Sequence, residues 1–276
     1  MGVRVTRTMT ADSVALAVAL SEIDPSWGTT ISRVADGWAV LCGPGMFVNR
    51  LEGAGIDGPL DVHHLEQLEL AAQLVGVAPA IALPEVAEAG NRELLRASGY
   101  QPDSAVSVGV MALDDAANSE SVNTESVTAA GFMLETVATN ETLQQWQRAA
   151  AIGWGYHNET SRRASNAFAE AAYRAPGSSL MLVRDVATGV LVATCALTVR
   201  DGLATLGGMS VLPAERRRGV QAAAIELRLV EAQRRGCDLA VTSTVVGGES
   251  ERNVMRHGFR HSHAVTTWKK SVWESV

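Results

Sequence analysis

Apolar and polar residues follow one another in blocks that predict strands and helices, and the order of these elements recurs along the chain. In the first half the pattern predicts a strand, a helix, a strand and a helix at residues 37–42, 60–75, 79–83 and 91–98. In the second half the same order predicts elements at residues 203–212, 220–235, 238–246 and 251–257. The first ten residues give only a weak indication of an edge strand. The alternation predicts an α/β or α+β fold in which helices cover a central mixed sheet in each half.

Two short segments suggest that the halves are related. LLRASGYQ at residues 94–101 and NVMRHGFRH at residues 253–261 each end a predicted helix on glycine and an aromatic residue, and then enter a predicted strand. Between the halves, residues 114–130 read DDAANSESVNTESVTAA, which offers almost nothing to a packed core. We therefore expect a duplicated chain with domains at 1–113 and 131–276, joined by a linker at 114–130.

Composition narrows the classes of function. The formal net charge of −7 argues against a broad nucleic-acid surface and favours a cationic substrate. No stretch approaches the roughly 18 consecutive apolar residues of a membrane-spanning helix, so we expect no membrane partner. The three cysteines, Cys42, Cys195 and Cys237, are far apart in the sequence and lie in or beside apolar runs. Together with the lack of a secretory signal, they predict a reducing, cytoplasmic location.

The segment between the strand at 203–212 and the helix at 220–235 carries the clearest chemistry. Pro213 ends the strand, and the helix that follows Gly219 has an apolar face. Its first turn therefore presents unpaired N–H groups at the positive end of the helix dipole, where an anion is stabilised. Three consecutive arginines, Arg216 to Arg218, precede this turn. The pattern predicts a phosphorylated ligand, and the alternative is a solvated basic loop that caps a helix.

The sequence VLPAERRRGVQAAAI at residues 211–225 resembles the diphosphate-binding segment of the GNAT superfamily of acyl-CoA-dependent N-acyltransferases. The family motif, Arg/Gln-x-x-Gly-x-Gly/Ala, falls on Arg216, Gly219 and Gln221, with glutamine in place of the usual small residue. The resemblance extends over residues 131–270. The first half resembles the family only in its order of elements. Residues 51–61 hold no arginine cluster, so we expect two tandem GNAT-like domains of which the first binds no CoA.

The resemblance implies an N-acetyltransferase that moves an acetyl group from acetyl-CoA to an amine, and the acidic balance favours a small-molecule amine. The strand supplies backbone groups to pantetheine and to the thioester oxygen, the loop and helix surround the diphosphate, and the following helix adds one residue. The expected cofactor-binding residues are Met209, Ser210, Val211, Arg216, Arg217, Arg218, Gly219, Val220, Gln221, Ala222 and Asn253.

Catalytic residues are less clearly indicated. Many relatives place a tyrosine, the general acid, four residues before the glycine of the closing Gly-Phe, and here that position is Val254. Ser243 and Thr244 are candidates to replace it, although alternating Ser and Thr in a strand are commonly structural. His157 and Glu159 are candidates for the base, although a polar surface loop explains them equally well.

Three open questions complete the expectations. His257, His261 and His263 lack matching acidic or cysteine ligands nearby in the sequence, so we expect no metal site. Trp268 is expected to pack in a core or in an interface, which leaves a homodimer possible. Because Val254 replaces the usual acid, the alternative function is a non-catalytic acyl-CoA-binding or sensing protein.

Overall fold

The computed structural model describes residues 1–113 and 128–271. Within these ranges the chain forms seven α-helices and twelve strands, with short 3-10 turns at Pro25–Trp27 and Pro213–Glu215. The helices are α1 Gly2–Ile23, α2 Val62–Val75, α3 Gly90–Ala97, α4 Asn140–Trp154, α5 Glu159–Arg174, α6 Val220–Arg234 and α7 Glu249–Arg256. The strands are β1 Thr30–Val34, β2 Gly37–Leu41, β3 Arg50–Glu52, β4 Ala80–Pro84, β5 Tyr100–Ala112, β6 Thr128–Ala129, β7 Phe132–Thr136, β8 Ser178–Asp185, β9 Leu191–Arg200, β10 Leu203–Val211, β11 Leu239–Val245 and β12 Arg260–Lys270.

All eight elements predicted from the pattern are present, with ends that differ by at most two residues. The expectation of an N-terminal edge strand is wrong, because Gly2–Ile23 forms helix α1. Its buried face includes Thr6 and Thr10, residues that are typical of strands, beside fully buried Val5 and Leu20. Threonine at core positions therefore hides the helical period of apolar residues in this segment.

Contacts divide the chain into two compact units, and neither is one continuous segment. Of the described residues, unit 1 contains 1–108, 244–248 and 261–271, and unit 2 contains 109–113, 128–243 and 249–260. The last strand, β12, pairs antiparallel with β4, with Val265 opposite Pro84 and Lys269 opposite Ala80. The C-terminal strand of the chain therefore completes the unit built mainly from the N-terminal half.

The predicted linker coincides largely with residues that are not described, since residues 114–127 lie outside the described ranges. Thr128 and Ala129, at its end, form β6 and pair with β7. Domain boundaries at 113 and 131 remain a proposal for how the polypeptide divides along its sequence.

In unit 1, the strand order is β1-β2-β3-β4-β12 followed by the first part of β5. Helices α2 and α3 cover a core that contains Leu65, Leu68, Leu95 and Tyr100. Trp268 of β12 is buried in the same core at 3% exposure, so the fold accounts for it as a packing residue. The homodimer stays a prediction.

In unit 2, the order is β11-β10-β9-β8-β7-β6, beside the end of β5. Helix α6 packs on this sheet through Val220, Ala223, Ala224 and Leu227, the face that the spacing of apolar residues predicts. This packing places the first turn of α6 next to the end of β10. No helix within the described residues is both long enough and apolar enough to cross a membrane.

The halves share their strand order and strand directions. In the first half β1 pairs antiparallel with β2, β2 pairs antiparallel with β3, and β3 pairs parallel with β4. In the second half β8, β9, β10 and β11 pair in the same order and with the same directions. A helix connects the strands of each parallel pair, as α2 or α6. Different orders would have ruled out the expected duplication, so the topology supports it.

We predict that Trp268→Ala lowers the free energy of unfolding by about 3–5 kcal/mol, because it removes a large buried ring from the core of unit 1. Lys269→Ala is the matched control. Its side chain is 52% exposed and points to the other face of the strand, so a change within about 0.5 kcal/mol is expected. Urea denaturation measures both, and equal midpoints for the two variants would contradict the assigned role of β12.

Candidate functional site

The site in unit 2 begins where β10 and β11 separate. The two strands pair in parallel only from Leu203 opposite Leu239 to Thr205 opposite Val241. Just beyond this ladder, the Thr242 hydroxyl donates to the Leu206 carbonyl oxygen over 3.0 Å. The Thr242 side chain thus replaces the backbone amide of β11 that would otherwise bind this carbonyl. Beyond Leu206, no strand of the described residues pairs with the edge of β10 that faces β11.

On its other side, β10 is irregular. Its pairing with β9 shifts between Gly207 and Ser210, so that Gly208 and Met209 stand opposite Cys195 alone. Gly208 has φ 60°, which glycine adopts without strain. The amide of Leu212 donates to Val192 of β9. Since backbone groups alternate in direction along a strand, those of Val211 face the open edge.

The first turn of α6 offers backbone donors. Gly219 is the N-cap with φ 78° and supplies no side-chain cap. The first intrahelical bond runs from the Ala223 amide to the Gly219 carbonyl, so the amides of residues 220–222 have no helical acceptor. No acidic residue lies in this turn, and Arg217, just before it, has the left-handed φ of 64°. The dipole and the unpaired amides together favour an anion here.

A cavity of about 860 Å³ joins these two features. It contains ten of the eleven residues predicted to bind the cofactor, from β10, the loop, the first turn of α6 and α7. Its lining consists of Gly153, Trp154, Met209, Ser210, Val211, Pro213, Glu215, Arg216, Arg217, Gly219, Val220, Gln221, Ala222, Glu249, Ser250, Asn253, Arg256 and His257. The geometry therefore brings the predicted set together in one place.

Arg218 is the predicted residue that does not line the cavity. Its guanidinium donates to Asp185 over 2.6 Å, forms a second ion pair with Glu215, and lies 5.6 Å from the centre of the Phe132 ring. The hydrogen bond from Arg218 holds the pKa of Asp185 below its ordinary value. These contacts of Arg218 fix the loop, and its expected contact with phosphate stays a prediction.

The four candidate catalytic residues lie outside the cavity lining. Ser243 is exposed and Thr244 is half-buried, while His157 and Glu159 are exposed at the start of α5. None of them lines the cavity. Val254, at the position where relatives have tyrosine, is 5% exposed and belongs to the apolar core of unit 2.

Sequence reasoning missed other residues of the cavity wall. Asn253 of α7 donates to the Gln221 side chain of α6 over 2.8 Å, and the His257 ring donates to the Asn253 carbonyl over 2.8 Å. Among the wall residues in and directly after α7, Glu249 and His257 were not predicted to belong to the cofactor site. Whether His257 lines the cavity depends on the angle between α6 and α7, which the local sequence pattern does not determine.

Gly153 is the second omission. A Cβ atom at this position of α4 would lie 2.0 Å from the Ser210 hydroxyl oxygen and 3.1 Å from the Val211 carbonyl oxygen. The Gly153 carbonyl also accepts a hydrogen bond of 2.9 Å from Arg216. The close approach of α4 to β10 therefore shapes one wall of the cavity.

In the corresponding loop of the first half, a carboxylate of the protein already accepts from three backbone amides. The Asp36 carboxylate accepts hydrogen bonds from the amides of Gly55, Ile56 and Asp57 over 2.6, 2.8 and 2.7 Å. Burial raises the pKa of Asp36, but these backbone donors outweigh it and the net pKa is lowered. The Asp61 side chain caps the next helix, α2.

Comparisons with known proteins agree with this geometry. Residues 140–259 match the model of the acetyltransferase (GNAT) family. A GCN5-related N-acetyltransferase from Kribbella flavida has a similar structure, with a TM-score of 0.63 at 19% identity over 94% of this chain and 96% of that one. A tandem GNAT protein from the clavulanic acid biosynthesis pathway gives 0.55 at 14% identity over 86% and 79%. A search of curated proteins finds no match. At these identities the two structures show a shared fold, and the match to the GNAT family concerns residues 140–259.

We predict that Gly153→Ala lowers the free energy of unfolding by about 1–3 kcal/mol, because the new methyl group overlaps the Ser210 hydroxyl. Without that overlap, alanine in a helix would raise stability by about 0.5–1 kcal/mol, so the sign of the change is informative. Adding Ser210→Ala should recover part of the loss. A double-mutant cycle measured by chemical denaturation tests this, and a stabilising Gly153→Ala would show that the approach is not tight.

Proposed function

We propose, from the premise that residues 140–259 are an acetyltransferase domain of the GNAT family, that this chain transfers the acetyl group of acetyl-CoA to an amine at the cavity in unit 2. The observation that carries the proposal is the meeting of two sets of backbone donors in one cavity. One set is the first turn of α6 and the other is the open edge of β10. A diphosphate and an extended amide chain, which are both parts of coenzyme A, need these two kinds of partner.

The diphosphate would lie against the amides of residues 220–222, where the helix dipole stabilises negative charge. Arg216 and Arg217 line the same cavity and add charge-assisted donors. The pantetheine amides would pair with the backbone of Val211 on the edge left open by β11. Asn253, fixed by its hydrogen bond to Gln221, lines the same cavity.

The reaction then follows from the arrangement of donors. The amine nitrogen forms a bond to the thioester carbonyl carbon, and the carbonyl oxygen takes the displaced electron pair. Main-chain donors of residues 209–211 stabilise this oxyanion. The carbon–sulfur bond breaks as the electron pair returns, and the proton given up by the amine ends on the thiol of coenzyme A. Glu249 and His257 are the wall residues able to relay it.

The acceptor is proposed to be a small cationic amine, on the grounds of the formal net charge of −7. The rival function is acyl-CoA binding without transfer. The burial of Val254 in the core favours it, because the usual acid is absent from that position.

The experiment that tests the function combines binding with turnover. Calorimetry with acetyl-CoA on the intact chain should show saturation with one site, since Asp36 and Asp61 close the corresponding region of the first half. Thiol release with a panel of primary amines then separates the two functions. Binding with turnover supports transfer, binding without turnover supports the rival, and no binding overturns the site.

We predict that Gly219→Asp weakens acetyl-CoA binding at least about tenfold more than Gly219→Asn does, because the carboxylate repels phosphate at the helix start. Both side chains have the same shape and impose similar strain at φ 78°. Asparagine therefore isolates the charge. Calorimetry compares the two dissociation constants, and equal values would place the phosphates elsewhere.

A further inference from the structure

A buried arginine lies directly behind the irregular part of β10. Arg228 of α6 is 2% exposed. Its Nε donates to the Ala224 carbonyl over 2.9 Å, and one terminal nitrogen donates to the carbonyls of Ala196 and Gly207 over 3.2 and 3.1 Å. The other terminal nitrogen lies 4.0 Å from the Met209 sulfur. The guanidinium thus binds both strands at the point where their pairing shifts.

This charge has no anionic partner. The recorded hydrogen bonds of Arg228 go to carbonyl oxygens and one sulfur, and no carboxylate of residues 1–113 or 128–271 forms an ion pair with it. Burial lowers the pKa of Arg228, yet an arginine remains protonated near neutral pH. A buried charge without a counter-ion is costly. Apolar residues would fill the same space without this cost in free energy, so we expect the buried charge to have a function.

Two further side chains act on the same segment. Thr242 donates to the Leu206 carbonyl, and the Trp154 indole donates to the Met209 carbonyl over 3.0 Å. With Arg228 on Gly207, three carbonyl oxygens of the segment 206–209 are occupied by side-chain donors. The electrostatic character that this segment presents to the cavity is therefore set by its amide hydrogens and by the positive charge behind them.

We propose that Arg228 is a positioning residue for acetyl transfer, which fixes the irregular segment of β10 and supplies positive potential to the oxyanion of the thioester. This inference rests on the proposed function. Attack by the amine places negative charge on the thioester oxygen beside β10, and that charge disappears when the carbon–sulfur bond breaks. A fixed cation in a dry environment stabilises this charge without reorganisation. It acts through the backbone and touches no reacting atom.

The test uses the full chain with acetyl-CoA labelled with carbon-13 at the thioester carbonyl. Infrared difference spectra report the polarisation of the bound carbonyl and require no turnover. We expect the carbonyl stretch to lie at lower frequency in the native protein than in Arg228→Met, and Arg228→Lys to restore much of the difference. With an accepted amine, Arg228→Met should lower kcat at least about tenfold while the dissociation constant for acetyl-CoA changes less than about twofold.

Two further variants separate the effect of the charge from the effect of changing an arginine in this part of the fold. Arg228→Gln keeps N–H donors for the carbonyl oxygens but removes the charge, and it should resemble Arg228→Met in the spectrum. Arg235→Met is the matched control. This arginine follows α6 directly, and it binds Glu231 over 2.8 Å and Ser179 over 2.9 Å, so its loss should leave the carbonyl frequency and kcat unchanged.

The outcomes are separable. A native carbonyl frequency and kcat in Arg228→Met or Arg228→Gln would overturn the role of the charge while leaving the proposed function intact. A lysine variant no better than the methionine variant would also overturn it. Failure of the native protein to bind acetyl-CoA would instead overturn the proposed function, and this inference with it.

Discussion

The separation of β10 from β11 is the constraint on which the rest of unit 2 depends. A strand that leaves its neighbour exposes backbone groups, and each buried one must find another partner. Thr242 and Trp154 supply side-chain donors for two of the carbonyl oxygens, and α6 contributes Arg228 for a third. What remains open faces the cavity next to the first turn of α6. The site is thus built from backbone groups of β10 that are not paired with β11.

Each half has a carboxylate where the first of its four matching strands ends, and the two carboxylates have different hydrogen-bond partners. In the first half Asp36, in the turn between β1 and β2, binds the amides of residues 55–57 directly. In the second half Asp185, at the end of β8, binds the side chain of Arg218 instead. The first arrangement fills an anion site with the protein's own charge. The second fixes the loop while the first-turn amides of α6 keep no helical acceptor, so the same topology leaves backbone donors free in one half and occupied in the other.

Much of this could be predicted from the sequence, because local patterns determine it. The period of apolar residues fixes α6, Pro213 ends the strand before it, and Gly219 permits the left-handed turn at its start. Long-range packing determines what the sequence did not reveal. The partner of Arg218 lies 33 residues away at Asp185, and Gly153 meets Ser210 across 57 residues of chain. His157 and Glu159 have side chains suited to a general base, but both are exposed and neither lines the cavity. The composition of a loop does not determine where the loop lies.

The acidic charge of the chain and its proposed anionic ligand are compatible because charge acts over different distances. At physiological ionic strength, interactions between exposed charges are largely screened beyond about 8 Å. The net charge of −7 therefore has little effect inside the cavity, where binding depends on the groups that line it. There the lining includes Arg216, Arg217 and Arg256 as well as Glu215 and Glu249, and Glu215 is already paired with Arg218. The local balance of charge is thus positive where phosphate would bind, so the negative net charge of the chain does not oppose an anionic ligand there.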